Sequence, residues 1–398
     1  MTPNSVWKRI NLVAPHLIHD LLARLVAHGS HPVTLKRADR IVIENPEKRS
    51  YDSPSSFRII VLLQTFSKIL ESIVNSRLAF VARASGLINS HQCGSLAGLS
   101  ASNAATTLTH DVRTLQMARK KVSTLFLDIK GGFDNINPAA LCGMMKAKGV
   151  NSYIVSWTKS FLSARTCRLL YQGSPRVFAP VWVGTPPGFP ASQLLCVIYV
   201  SRLHCEIPQG LMLSYVDDFG LTASWASYRP NLQILQKQYA RIKAKGAALG
   251  VSFLVPKTEV IHWRTNRDKG QISNAPVHLD GSIFPPQTEV RWLGYWFTPS
   301  MSESTTLHFV KRLAKAQAAF VAIKRLSPPG IGSPPSYAMA WLPPTFFPSL
   351  AMARTPSRPL STGRESSPPS GTRSRGGPPI VYYAPRPTSW PWKRASPP

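Results

Sequence analysis

Residues 211–224, LMLSYVDDFGLTAS, set two adjacent carboxylates, Asp217 and Asp218, between apolar flanks with the composition of β-strands. Neighbouring carboxylates at the end of a buried strand repel each other and lose hydration unless a cation compensates. A divalent ion with oxygen ligands, such as magnesium, is the simplest compensator. The alternative is an exposed hairpin tip, where aspartate is common. The chain carries 18 Asp and Glu against 47 Lys and Arg, a formal charge of +29, so each acid is informative. A field of that sign draws polyanions, nucleic acid first among them. A basic ribosome-like or chromatin-like protein without chemistry would carry the same charge.

Asp128 ends a second apolar stretch, TLFLDIKGGFDNI. Alone, it reads as a strand-end carboxylate capping the next helix. Two strands that each end in carboxylates can lie side by side and present three acids. Three carboxylates can hold two divalent ions roughly 4 Å apart, which activates an attacking oxygen and stabilises a leaving one in phosphoryl transfer. In a strongly basic protein, that points to phosphodiester chemistry on nucleic acid.

With 398 residues, the chain has room for two or three packed units. Its five cysteines form no CxxC pair, which argues against a disulfide scaffold or zinc ribbon and fits a reducing compartment. No apolar run is long enough to span a bilayer, and the first 25 residues read as an amphipathic helix, not a signal peptide. Apolar spacing predicts helices over 6–28, 56–80, 100–120, 138–148, 151–163, 193–204, 231–249 and 302–326. It predicts strands at 40–43, 122–129, 168–172, 177–183 and 258–263, with a hairpin over 211–222. The fold class is α+β. On the last helix Lys311, Arg312, Lys315, Lys324 and Arg325 are expected to stripe one side, opposite Leu313, Ala316 and Phe320; Arg119, Lys120 and Lys121 read as a solvated charge run. From Ser327 the composition changes, and residues 327–398 hold 18 of the 36 prolines. That segment is expected to be a disordered basic Pro/Ser-rich tail, read as out-of-frame sequence in preference to an RNA-binding extension.

The motifs occur in a recognisable order. FRIIVLLQTFSKILESIVNSRL, GLINSHQCGSLAGLSASNA, LFLDIKGGFDNI, VGTPPGFPASQLLCVIYV, LSYVDDFGLT, KGAALGVSFLVPKTEVIHW and VRWLGYWF together resemble the reverse transcriptase domain of non-LTR (LINE-type) retrotransposons over about residues 6–326. The resemblance implies a right-hand polymerase, with an antiparallel palm sheet packed by helices, fingers and a truncated thumb. On that basis residues 1–40 are a helical extension, 41–121 fingers, 122–300 palm with part of the fingers, and 301–326 the start of the thumb. The activity implied is RNA-directed DNA synthesis from a 3′-hydroxyl primer with two magnesium ions, manganese being a substitute. RNA template, DNA primer and deoxynucleoside triphosphates are the implied partners, with no membrane. The resemblance fixes no localisation; an intracellular setting, in the nucleus or a cytoplasmic ribonucleoprotein, would suit that activity.

Carried over by position, Asp128, Asp217 and Asp218 would ligate metal, with the backbone carbonyl of Ile129. Phe133 would lie under the sugar of the incoming nucleotide and exclude a 2′-hydroxyl. Arg58 would hold the triphosphate, which suits a bidentate guanidinium. Lys257 would sit near the leaving pyrophosphate. Tyr215 would lie beside the metal pair, and Gly184, Pro187 and Gly188 would contact the template. Trp292, Leu293 and Gly294 would form the turn that positions the primer.

Several positions depart from the family pattern. Pro187 stands for a Gln and removes a backbone donor. Phe189 stands for a small Ser at a crowded place, Gly132 for an Ala at a helix start, Asn45 for a Lys, and Ile59 for a Pro. Against the family pattern this sequence is expected to lack the endonuclease domain, and the thumb pattern stops near Ser327. The departures predict a decayed copy with weak or no activity. A non-catalytic basic nucleic-acid-binding relic and a two-metal nuclease are the alternatives, the nuclease disfavoured by the lack of a general-base His or Glu near either catalytic strand.

Overall fold

A computed structural model of the chain describes residues 3–45, 50–171, 174–204, 210–265 and 273–326, all within one compact unit, Met1–Thr355. The tail expected over 327–398 lies outside the described residues.

The single helix predicted over 6–28 is two, α1 (Asn4–Val13) and α2 (Pro15–Ala27), bent by 107° at Ala14. Pro15 is the cause: it has no N–H to continue α1, but its fixed φ suits the first turn of α2. Strands β1 (Arg37–Glu44) and β2 (Phe57–Leu62) follow, then α3 (Thr65–Ala84). The helix read over 56–80 is therefore a strand as far as Leu62. Ile59, Ile60 and Val61 are β-branched and pair antiparallel with β1 in the register Ile41↔Ile60, and this tertiary pairing outweighs the helical spacing.

The short β3 (Gln92–Cys93) precedes α4 (Ala101–Met117), whose start is closed by a capping box between Ser100 and Asn103. Next come β4 (Lys121–Lys130), α5 (Pro138–Ala147) and α6 (Ser152–Leu162), the two helices each capped by an asparagine, Asn137 and Asn151. The strand predicted at 168–172 is β5 (Arg165–Tyr171). The short β6 (Ser174–Pro175) follows, and the strand predicted at 177–183 is reduced to β7 (Ala179–Val181). The largely buried α7 (Pro190–Val200), with Gln193 exposed, leads to β8 (Gly210–Tyr215), β9 (Asp218–Trp225) and α8 (Tyr228–Ala248). The described part closes with β10 (Ser252–Phe253), β11 (Glu259–Trp263), the hairpins β12 (Val277–Leu279)–β13 (Ser282–Phe284) and β14 (Val290–Trp292)–β15 (Tyr295–Phe297), and α9 (Met301–Leu326).

Two larger sheets result. One runs β2-β1-β5-β6 with β7 also on β5, and its β1–β5 pair is parallel. The other runs β10-β4-β9-β8-β3, with β11 on β4 beyond β10. Alternation along β4 sends Leu125, Leu127 and Ile129 into a core shared with α3 and α7, while Val122 and Phe126 face a second core with α4 and the β14–β15 hairpin. Among the described residues no single helix is long and apolar enough to cross a membrane; α1 and α2 pass such a test only as a bent pair.

Candidate functional site

The hairpin β8–β9 and strand β4 bring the sequence's informative acids together. Asp128 lies directly opposite Asp218 in the antiparallel β4–β9 register, and Asp218 lies opposite Tyr215 on its other side. Asp217 occupies the two-residue turn between β8 and β9. Like charges facing each other across a sheet are unfavourable. Burial, and then repulsion from Asp217 and Asp128, pushes the Asp218 carboxyl up to about 7, against the pull of Lys257. Burial, with a contribution from Asp128, also raises Asp217. Tyr215 is raised by burial, then by Cys93 and Asp218.

The turn is held in a conformation its residue does not favour. Val216 has φ +55°, in the left-handed region that a β-branched side chain resists. Three contacts over-determine it: the Ile129 N–H donates to Asp217 O at 3.2 Å, the Val216 N–H to Cys93 O at 3.2 Å, and Gln92 Nε2 to Val216 O at 3.2 Å. Gln92 is fixed in turn by hydrogen bonds with Ser214 Oγ and His204 Nε2. Gly132 was expected to loosen a helix start. It lies instead in the turn after β4, where an added Cβ would come 3.2 Å from the Cβ of Asp217.

Lys257 joins the cluster, with its Nζ 2.7 Å from Asp128 Oδ2. The donor chemistry fits a hard divalent cation: adjacent oxygen ligands whose mutual repulsion only nearby positive charge relieves. As placed, the Lys257 ammonium supplies that charge at Asp128. Among the described residues no three His, Cys, Asp or Glu side chains converge closely enough to hold a metal ion.

Residues 184–189 dock beside this centre. Gly184 N donates to Ile136 O at 2.9 Å and Thr185 N to Phe133 O at 2.7 Å. Gly184 has φ +87°, and a Cβ there would approach the Asp134 carbonyl to 2.7 Å, so only glycine fits. Phe133 is half-buried against the core, Pro187 is half-buried and Gly188 exposed. Phe189 is 2% exposed, packed in an apolar cluster with Ala38, Val61 and Leu63.

Arg58 stands exposed on β2, in the other sheet from the aspartates. Sequence reasoning missed two further arginines. Arg40 and the buried Arg165 line a small cleft with Asp134 and Gly184–Pro186. Their strands are far apart in sequence and meet only through the parallel β1–β5 pairing, so no local signal marked them.

Trp292, Leu293 and Gly294 form the β14–β15 turn, with φ +51° at Leu293 and +81° at Gly294. The Trp292 ring packs 5.4 Å from that of Phe126. Phe126 is two positions before Asp128 on the same face of β4, so the hairpin sits on the carboxylate side of the sheet. The stripe expected on α9 is partly reversed. Arg312 Nη2 donates to Gly294 O at 2.8 Å and Lys311 pairs with Glu289 at 3.2 Å, while Leu313 and Phe320 are exposed. The side chains of Lys324 and Arg325 lie outside the described ones.

A family model described as reverse transcriptase (RNA-dependent DNA polymerase) matches residues 45–297. The chain is 23% identical over 270 residues to a probable RNA-directed DNA polymerase from transposon BS of Drosophila melanogaster, covering 66% of this chain and 29% of that protein. It is 27% identical over 305 residues to a putative 115 kDa protein in the type-1 retrotransposable element R1DM of the same organism, covering 75% and 28%. The chain therefore spans less than a third of the length of either relative. Among solved structures it is similar to apo telomerase from Candida tropicalis truncated from its C-terminal domain, at TM-score 0.45 and 15% identity, over 67% of this chain and 54% of that one.

Proposed function

Because this chain belongs to the reverse transcriptase (RNA-dependent DNA polymerase) family, we propose that its carboxylate centre performs RNA-templated DNA synthesis from a 3′-hydroxyl primer, at a low rate. The observation that carries this reading is the register Asp128↔Asp218, with Asp217 in the adjoining turn. A strongly basic chain has gathered three of its few acids at the end of one sheet.

The family uses divalent metal. In this chain Asp128, Asp217, Asp218 and the Ile129 carbonyl would hold it, with Asp128 exchanging the Lys257 ammonium for the ion. Bound magnesium supplies positive charge that lowers the pKa of a primer hydroxyl and offsets charge on the leaving pyrophosphate. The protein's own share is positioning. Residues 41–121 act as fingers and 122–300 as palm. Arg58, exposed on β2, attracts the triphosphate. Phe133 forms the floor under the sugar and favours deoxynucleotides. Lys257, freed from Asp128, faces the pyrophosphate. Tyr215 lies beside the primer end, the 184–188 loop lies along the template, and Trp292–Gly294 steadies the primer. Pro187 offers neither a side-chain amide nor a backbone donor, and loss of such a positioning contact costs ~10²-fold in rate.

Primer extension on an RNA template tests this. Slow, magnesium-dependent synthesis that disappears in Asp217→Asn is expected. No synthesis with either magnesium or manganese, alongside intact RNA binding, would leave the second reading: a nucleic-acid-binding protein whose Lys257–Asp128 bridge keeps the centre closed to metal.

A further inference from the structure

Trp182 is 77% exposed, although it follows β7 directly and leads straight into the Gly184–Phe189 loop. An indole left in water at that place covers no core. It forms one wall of an open cleft against α5 and α6, floored by Cys142, Leu162 and Val181. Lys146 of α5 and Lys159 of α6 stand on the cleft, close enough that both act on the Cys142 thiol. No Asp or Glu lines the cleft, and among the described residues neither lysine has an ion-pair partner.

An exposed indole flanked by unpaired cations matches the chemistry of unpaired bases on a phosphate backbone. Every base offers a face for stacking, and the phosphates need only diffuse positive charge. A duplex is a poor fit, since its bases are already stacked on each other. We propose that this cleft binds single-stranded nucleic acid: the unpaired part of a template strand beside the Gly184–Phe189 loop, with a base on Trp182 and phosphates on Lys146 and Lys159. The word template rests on the polymerase reading; the binding does not.

The test is fluorescence anisotropy of a labelled oligouridylate RNA with the full chain and three variants. Trp182→Ala should weaken binding about fivefold or more, and Trp182→Phe, which keeps a ring, by less than twofold. Lys146→Ala with Lys159→Ala should flatten the dependence of log affinity on log salt by about 1. Binding of a blunt RNA duplex should be unchanged in all three. Ultraviolet crosslinking should join the RNA to the peptide containing Trp182. Wild-type affinity in Trp182→Ala without a crosslink would overturn the proposal, as would an equal loss for the duplex. So would a loss of self-association with RNA affinity intact, which would mark the cleft as a contact between copies. Binding is read without synthesis. A chain that takes RNA on Trp182 but never extends a primer therefore sinks the polymerase reading alone, and extension with no Trp182 effect sinks this one alone.

Discussion

Lys257 and Asp128, 129 positions apart in the sequence, meet as an ion pair with Nζ 2.7 Å from Oδ2. The pair sits at the edge of three carboxylates and is the source of positive charge acting on both Asp217 and Asp218.

Removing that charge should push the carboxylates further toward neutrality. In Lys257→Met the Asp218 titration, followed by carbon NMR of labelled aspartate, should move above its position near 7. A midpoint that stays in place would show that Lys257 is solvated away from the cluster in solution.

Asp218 also predicts the direction of a pH effect on stability. Its folded pKa of about 7 lies above the unfolded value of roughly 3.9, so the unfolded state loses the proton first. The stability of the protonated form is complete below about pH 4, falls as pH rises through 7, and then levels off. Asp218→Asn, which cannot ionise, should match wild type near pH 4 and exceed it by on the order of 1–3 kcal/mol at pH 8. Denaturant melts at both pH values check this in metal-free buffer. Added magnesium should shrink the gap if the centre takes the ion, since the metal stabilises the native ionised form.

Two glycines of one loop should respond differently to a methyl group. At Gly184 a Cβ meets the Asp134 carbonyl at 2.7 Å, whereas at Gly188, with a similar φ, nothing lies within 4 Å. Gly184→Ala should cost about 3–5 kcal/mol from strain plus clash, and Gly188→Ala about 1–2 kcal/mol from the backbone alone. Equal losses in urea unfolding would count against the docking of the loop on residues 133–136.

Glu71 and Arg165 are both buried and interact across the junction of α3 and β5. Ser67 Oγ donates to Glu71 Oε1 at 2.9 Å, while burial lifts the Glu71 carboxyl to about 7. Glu71→Ala should destabilise by about 1–3 kcal/mol, because Ser67 loses its acceptor and a buried cavity is left beside Arg165. A loss within the range of a surface substitution, below about 0.5 kcal/mol, would contradict the burial of Glu71 and its bond from Ser67.

The parts of this fold legible in the sequence were those with local causes. The apolar stretch 122–129 located β4 to within a residue, and the apolar flanks of the two aspartates located the β8–β9 hairpin to within three. Pro15 was equally local, yet the apolar spacing across it hid the break. Phe57–Leu62 shows the limit of periodicity: its spacing suits either element, and β1 decides. The site residues that went unread, Arg40 and Arg165, and the bridging role of Lys257 depend on contacts between segments more than 100 positions apart, which no window on the sequence contains. The α9 stripe failed for a similar reason, since Arg312 bonds the β14–β15 turn while Phe320 is exposed.

The left-handed Val216 has an evolutionary corollary. Asp217 owes its heading to a peptide geometry that its neighbour would abandon if permitted. Substitutions that let this corner unwind, glycine above all, would ease folding while misdirecting the carboxylate. Selection for thermostability alone would therefore enrich well-folded, disarmed variants, and only selection on copying would retain an uncomfortable valine.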